Sequence, residues 1–180
     1  MFLVKQIKPK RFKDKEFNRI FRNRLRRVGQ TLIREDFSQT VKTWDHKVKF
    51  DLHTHLTART PSPSIEIDTK DEVWNWLDQG TGLWGPKKKK YLIWAGIYTG
   101  KSNKKALAFP SVFVAKTKVG SLSSGSGMSG GDKVVRPYVE HPGIEPRGWN
   151  EMIVKKRKGW FKKQMQEGLH EANMAGGHRI

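Results

Sequence analysis

The stretch Phe37-Ser-Gln-Thr-Val41-Lys-Thr-Trp44-Asp-His-Lys-Val48-Lys-Phe50-Asp-Leu52-His-Thr-His-Leu56 decides the fold class, because the hydrophobic period changes within it. Up to Trp44 the large apolar residues recur every three or four positions, the spacing of one helix face. From Val48 they alternate with Lys49, Asp51, His53 and His55, the spacing of a half-buried strand. A helical segment that gives way to a strand within a dozen residues points to an α+β protein.

Upstream, Phe17, Phe21, Leu25, Val28 and Leu32 form the same helical stripe. The pattern predicts one helix from about Phe12 to Trp44, roughly 50 Å long at 1.5 Å per residue, with Gly29 as the expected kink. Downstream, Pro61-Ser-Pro63 reads as a turn and Ser64–Asp68 as a returning strand. Asp68 or Thr69 is expected to cap a short helix over residues 71–77, which Gly80-Thr81-Gly82 ends. Tyr91–Ala95 reads as a central strand. Ala106–Phe109 and Val112–Ala115 read as two strands around Pro110. Val134, Val135, Tyr138 and Val139 read as a last strand interrupted by Pro137. Residues 120–132 have linker composition and are expected to be a mobile loop or hairpin tip. The helical period returns at Trp149, with Ile153, Phe161, Met165, Leu169 and Ala172 on one face, and Gly176-Gly177 stops it. The expectation is an antiparallel β-sheet packed with a long N-terminal helix and a C-terminal helix. It forms a single domain over 1–180, with a basic extension at 1–11, a body at 12–172 carrying a flexible Gly/Ser-rich loop, and a tail at 173–180.

Charge limits the partners. Lys and Arg number 36 against 17 Asp and Glu, a net charge of +19. Between Met1 and Arg34, twelve basic residues face only Asp14 and Glu16. A surplus of this size calls for a polyanion or an acidic neighbour. A membrane fits poorly, since no apolar run reaches the roughly 18 residues a bilayer span needs. Met1–Val4 is too short for a secretory h-region. The chain has no cysteine, hence no disulfide framework and no thiolate chemistry, which suits assembly in a reducing cytoplasm.

Little points to catalysis. Asp51-Leu-His53-Thr-His55 resembles the opening motif of the polymerase-and-histidinol-phosphatase type metal phosphoesterases, and two imidazoles on one strand face suit a divalent metal. The supporting series of His, Asp and Glu is missing, so the pair reads as the solvent face of a strand, with His53 and His55 only secondary candidates for a metal. No Walker loop or nucleophile elbow occurs. The chain is read as non-enzymatic, with no cofactor. The basic clusters are the stronger signal: Arg22, Arg24, Arg26 and Arg27 on the first helix, and Lys87, Lys88, Lys89 and Lys90. Both read as surfaces for DNA or for an acidic partner.

Tyr138-Val-Glu-His-Pro-Gly-Ile-Glu-Pro-Arg-Gly-Trp149, followed by the last helix, resembles the tail-completion or neck proteins of long-tailed bacteriophages. The matching residues are Val139, His141, Pro142, Gly143, Arg147 and Trp149, and the element order agrees from Phe12 to Ala172. Arg-Gly-Trp stands where a Pro-Phe pair is common in that family. The resemblance implies a virion protein, assembled in the host cytoplasm, that forms a ring of six-fold symmetry joining tail to head and letting DNA pass. Its partners would be its own copies and neighbouring neck, portal-adaptor, tail-terminator or tail-tube proteins. Gly120, Ser124, Gly127 and Gly131 would lie in a loop between subunits. The alternative reading is a sequence-independent nucleic-acid-binding protein.

Overall fold

A computed structural model describes residues 14–56, 63–94 and 106–177. The basic extension, the start of the first helix near Phe12, most of the Pro61–Pro63 turn, Ala95 and the last three residues of the tail lie outside these. The fold is α+β. Its elements in order are α1 (Asp14–Leu32), a π-helical stretch (Ile33–Phe37), α2 (Ser38–Thr40), β1 (Asp51–His55), β2 (Ser64–Asp68), α3 (Glu72–Gln79), β3 (Tyr91–Trp94), β4 (Leu107–Val114), β5 (Met128–Arg136), β6 (Tyr138–His141) and α4 (Trp149–Ala175). Instead of one sheet, the described strands form three two-stranded antiparallel ladders, β1–β2, β3–β6 and β4–β5.

The chain divides into two compact units. The first holds residues 14–35, 50–56, 63–68 and 155–177 of those described. The stripe of α1 buries Phe21, Leu25 and Val28. Phe21 and Leu25 cluster with Ala172 of α4, and Phe17, Ile20, Leu56, Ile65 and Met165 pack around them. Fully burying side chains of this size is worth about 1.5–3 kcal/mol each, so this stripe is the main reason the helix stays folded. The helix runs unbroken through Gly29, the expected place for a kink. Gly29 instead gives the Leu52 side chain of β1 the space a Cβ would fill. The departure from α geometry comes later, at Ile33–Phe37. A π turn inserts one extra residue, which matches the one-residue step from the Leu32 stripe to the Ile33–Phe37–Val41 stripe. On α4, Phe161 and Met165 face inward as the period predicts, but Leu169 is exposed. Its neighbour Gly168 takes the buried place, with the Arg24 Cγ only 2.6 Å from where a Cβ would stand.

The second unit holds residues 36–49, 69–94 and 106–154 of those described. Its core is aromatic: Trp74 and Trp149, each 1% exposed, meet at a tilt with centroids 4.8 Å apart, and Phe37 and Trp44 pack against them. The N-cap of α3 is Asp71, not Asp68 or Thr69. Its carboxylate accepts the Trp74 N–H at 2.8 Å, while Thr69 Oγ1 accepts the Asp71 N–H. Thr69 therefore supports the cap from one step back. Gly80, at φ 79°, closes the helix as expected.

Two of the three strand corrections involve proline. β3 is not central; it pairs only with β6 among the described residues. Pro137 separates β5 from β6, and the two strands then take different partners. Pro110 was expected to divide two strands, yet β4 runs straight through it. The ladder shifts register between Pro110 and Val112, where Gly131 and Asp132 on β5 oppose Ser111. Gly131 adopts φ 79°, the left-handed position of a bulge. A bulge opposite proline tolerates its missing N–H.

Candidate functional site

The residues of the His-Pro-Gly stretch come together around one interlock in the second unit. Val139 pairs with Ile93, and His141 with Tyr91. The His141 Nδ1 accepts the Gly143 N–H at 3.0 Å, so the neutral ring carries its proton on Nε2. Beyond it the chain lies against the turn that ends α3. Leu83 N–H donates to Pro142 O and Thr81 N–H donates to Ile144 O, both at 2.8 Å. Ile144 N–H donates back to Thr81 Oγ1 at 3.0 Å. Gly82 and Gly143 sit backbone against backbone, and neither has room for a Cβ. The Gly-Thr-Gly and His-Pro-Gly segments are therefore one structural feature.

The interlock continues into α4. Arg147 N–H donates to Leu77 O at 2.8 Å, and its Nε donates to Thr117 Oγ1 at 3.2 Å. Asp78, only 8% exposed, accepts from the Asn150 backbone N–H at 3.0 Å and from its Nδ2 at 2.6 Å. A carboxylate at this place satisfies an unpaired helix N–H and complements the positive end of the dipole. Buried Trp149 donates its indole N–H to Ser121 O at 2.9 Å. Most of these bonds join segments of the second unit that are far apart in sequence.

The Gly/Ser stretch is the tip and one side of the β4–β5 hairpin, and it is tied down where mobility was expected. Met128–Asp132 belongs to β5. Ser124 bridges to Thr117, and its hydroxyl donates to Thr40 O. Thr43 Oγ1 donates to Gly125 O at 3.2 Å, and Lys116 pairs with Asp45 at 3.1 Å. Gly120 faces open space, whereas Gly127 packs close to the Lys116 side chain. An open groove of about 890 Å³ lies in this unit, walled by Trp44, Leu77, Trp84, Phe113, Val114 and Met128.

The basic clusters sort into free and committed residues. In the first unit Arg22, Arg26 and Arg27 are exposed. Arg24 is not a partner-facing residue. Its guanidinium turns toward α4 and binds Glu167 at 2.6 Å, Gln164 at 3.0 Å and Glu171 at 3.3 Å. It lies on the flank of the apolar stripe, next to Leu25, and its stem is covered on packing. Lys155, Lys158 and Lys162, spaced to share a face of α4, are exposed as well. The sequence shows that spacing, but only the fold shows which face is covered. In the second unit Lys87, Lys88 and Lys89 are exposed, while Lys90 meets Glu140 at 3.4 Å. Both partners are well exposed, so that pair adds little stability.

His53 and His55 lie on the outer face of the β1–β2 ladder, opposite the side that meets α1. Each faces an acid across the ladder, His53 with Asp68 at 3.6 Å and His55 with Glu66 at 3.2 Å. Among the described residues no group of three or more His, Cys, Asp or Glu is arranged to hold a metal, and no helix is long and apolar enough to cross a membrane. His46 lies 2.8 Å from the Asp71 carboxylate. Burial works to raise the Asp71 pKa, but the Trp74 N–H and His46 outweigh it and hold the carboxyl below its ordinary value.

No protein-family model matches the chain, and no curated protein or solved structure matches it.

Proposed function

We propose that this chain is a structural protein of the virion, of the neck or tail-completion type, acting without catalysis in a homo-oligomeric ring that joins tail to head and lets DNA pass. The observation that carries this reading is the interlock of residues 80–83 with residues 142–150. The stretch that resembles the phage family is invested in backbone bonds that brace α3, β6 and α4 against one another. A ring subunit needs such a rigid body. The order of elements around the interlock, from a long first helix to the last helix, supports the same reading. Its partners on this view are its own copies and the adjoining neck, portal-adaptor, tail-terminator or tail-tube proteins. Electron microscopy of the purified chain with its assembled particle tests it: rings at the head–tail junction are the expected result, and particles that assemble fully without this chain refute it.

A second reading, sequence-independent binding of nucleic acid, is favoured by the exposed cations of the first unit. Arg22, Arg26, Arg27, Lys155, Lys158 and Lys162 are all exposed. If about six of them meet phosphates, log K falls against log salt with a slope of roughly −5, and affinity drops about 10³-fold between 50 and 200 mM. A flat salt dependence excludes it.

A further inference from the structure

We infer that the second unit holds single-stranded nucleic acid at its open groove, with a base stacked on Trp84 and the adjoining phosphates on Lys87, Lys88 and Lys89. Resting on the second reading above, this site gives that reading a place in the second unit and needs nothing from the cations of the first.

The lysines sit on a braced loop. Lys89 N–H donates to Gly82 O at 3.2 Å and closes residues 82–89 at their base. Within the loop, Gly85 N–H donates to Gly82 O at 3.3 Å and Lys88 N–H to Gly85 O at 3.1 Å. From outside, the Tyr91 hydroxyl accepts the Gly82 N–H at 3.2 Å, and Leu83 N–H donates to Pro142 O. Lys88 is held at φ 47°, the one non-glycine residue with positive φ among those described, in a region where a residue with a Cβ is uncommon. Lys87, Lys88 and Lys89 are exposed. Lys90 alone of the run pairs with an acid among the described residues. Lysines act on phosphate as point charges, and here the backbone order that gathers three of them is already in place.

Trp84 belongs to the same loop. It is 43% exposed and forms part of the groove wall, as does Phe113, which is 76% exposed. The groove, about 890 Å³, falls within the roughly 300–1,000 Å³ that accepts a small organic ligand. Bases stack on such rings whatever their sequence, because every base has a π face. His141, Glu145 and Arg147 also line the groove. The His141 Nε2–H and the Arg147 guanidinium are donors, and the Glu145 carboxylate is an acceptor. A base edge carries donors and acceptors together and answers such a lining. An acidic peptide brings carboxylates, which only accept and meet Glu145 with like charge, so it suits the lysines but not the groove. A duplex keeps its bases stacked and offers the groove no ring face, which makes the strand a single one.

Fluorescence anisotropy of the full chain tests the inference with three labelled probes: an oligothymidylate of about twelve nucleotides, an abasic strand of the same length and a duplex. Oligothymidylate is expected to bind more tightly than the abasic strand. Trp84→Ala and Phe113→Ala are each expected to weaken oligothymidylate binding about tenfold and to leave the abasic strand unchanged, while Trp84→Phe keeps most of the affinity. Phe113 is mostly exposed, so its variant reads the groove independently of how Trp84→Ala folds. Lys87→Ala, Lys88→Ala and Lys89→Ala combined are expected to make log K against log salt shallower by about 2. Equal binding of oligothymidylate and abasic strand, with both ring variants silent, overturns the groove site and leaves the second reading standing on charge. Polyglutamate bound more tightly than oligothymidylate overturns it in favour of an acidic partner. Duplex bound with a steep salt dependence while oligothymidylate stays free overturns this site alone, and no binding to any probe overturns the second reading with it.

Discussion

Replacing Gly82 by alanine tests whether the interlock braces the second unit. Gly82 adopts φ 63°, and a Cβ there falls against Pro142 O and 2.6 Å from Gly143 Cα. Both obstacles are backbone, so neither yields by changing rotamer. An L-residue in the left-handed region costs roughly 1–2 kcal/mol. Relieving the overlap separates the two segments and strains the bonds Leu83 N–H to Pro142 O and Thr81 N–H to Ile144 O, each worth about 0.5–1.5 kcal/mol. The expected total for Gly82→Ala is about 3 kcal/mol, or a fall in Tm of roughly 6–12 °C for a chain of this length. Gly120→Ala is the internal control. Its φ is 70°, but nothing lies within 4 Å of the new Cβ, so only the backbone penalty remains. Urea denaturation of both variants separates the conformational part from the steric part. Equal losses in the two refute the interlock as a source of stability.

Arg24→Ala is expected to destabilise the first unit by about 1–3 kcal/mol, because it removes charged hydrogen bonds and a covered stem. Arg22→Ala, at an exposed position, is expected to stay within about 0.5 kcal/mol; equal effects in thermal denaturation contradict the assignment of Arg24. Asp78→Ala leaves the Asn150 N–H without its acceptor and is expected to cost about 1–3 kcal/mol in urea denaturation, with Asp78→Asn in between. The lowered pKa of Asp71 has a definite sign. Its contribution is present above the ordinary carboxylate value of about 4 and is lost as pH falls through the lower folded value. Melting curves at successive acidic pH values are expected to show a smaller acid-induced loss in Asp71→Asn than in the wild type; an identical pH profile rules out this linkage.

Local pattern reached far in this chain. The stripes of α1 and α4, the alternation of β1, the returning strand β2 and the glycine that stops α3 each depend on a period or a turn chemistry held within a few residues. The site was less legible. His141, Pro142, Gly143 and Trp149 were recognisable as a motif, but the turn they grip, Thr81 to Leu83, lies about sixty residues earlier. Nothing in either segment announces the other.

By itself the sequence determined the α+β class, the helical and strand periods, the excess of positive charge and its concentration before residue 35. These follow from composition and nearest-neighbour spacing, which need no knowledge of what packs where. Tertiary structure decided the rest, for the physical reason that burial and pairing are properties of two surfaces at once. It turned Arg24 inward while leaving Arg22, Arg26 and Arg27 outside. It put Gly29 against Leu52 of β1. Through Pro137, which separates β5 from β6, it divided the described strands among three ladders.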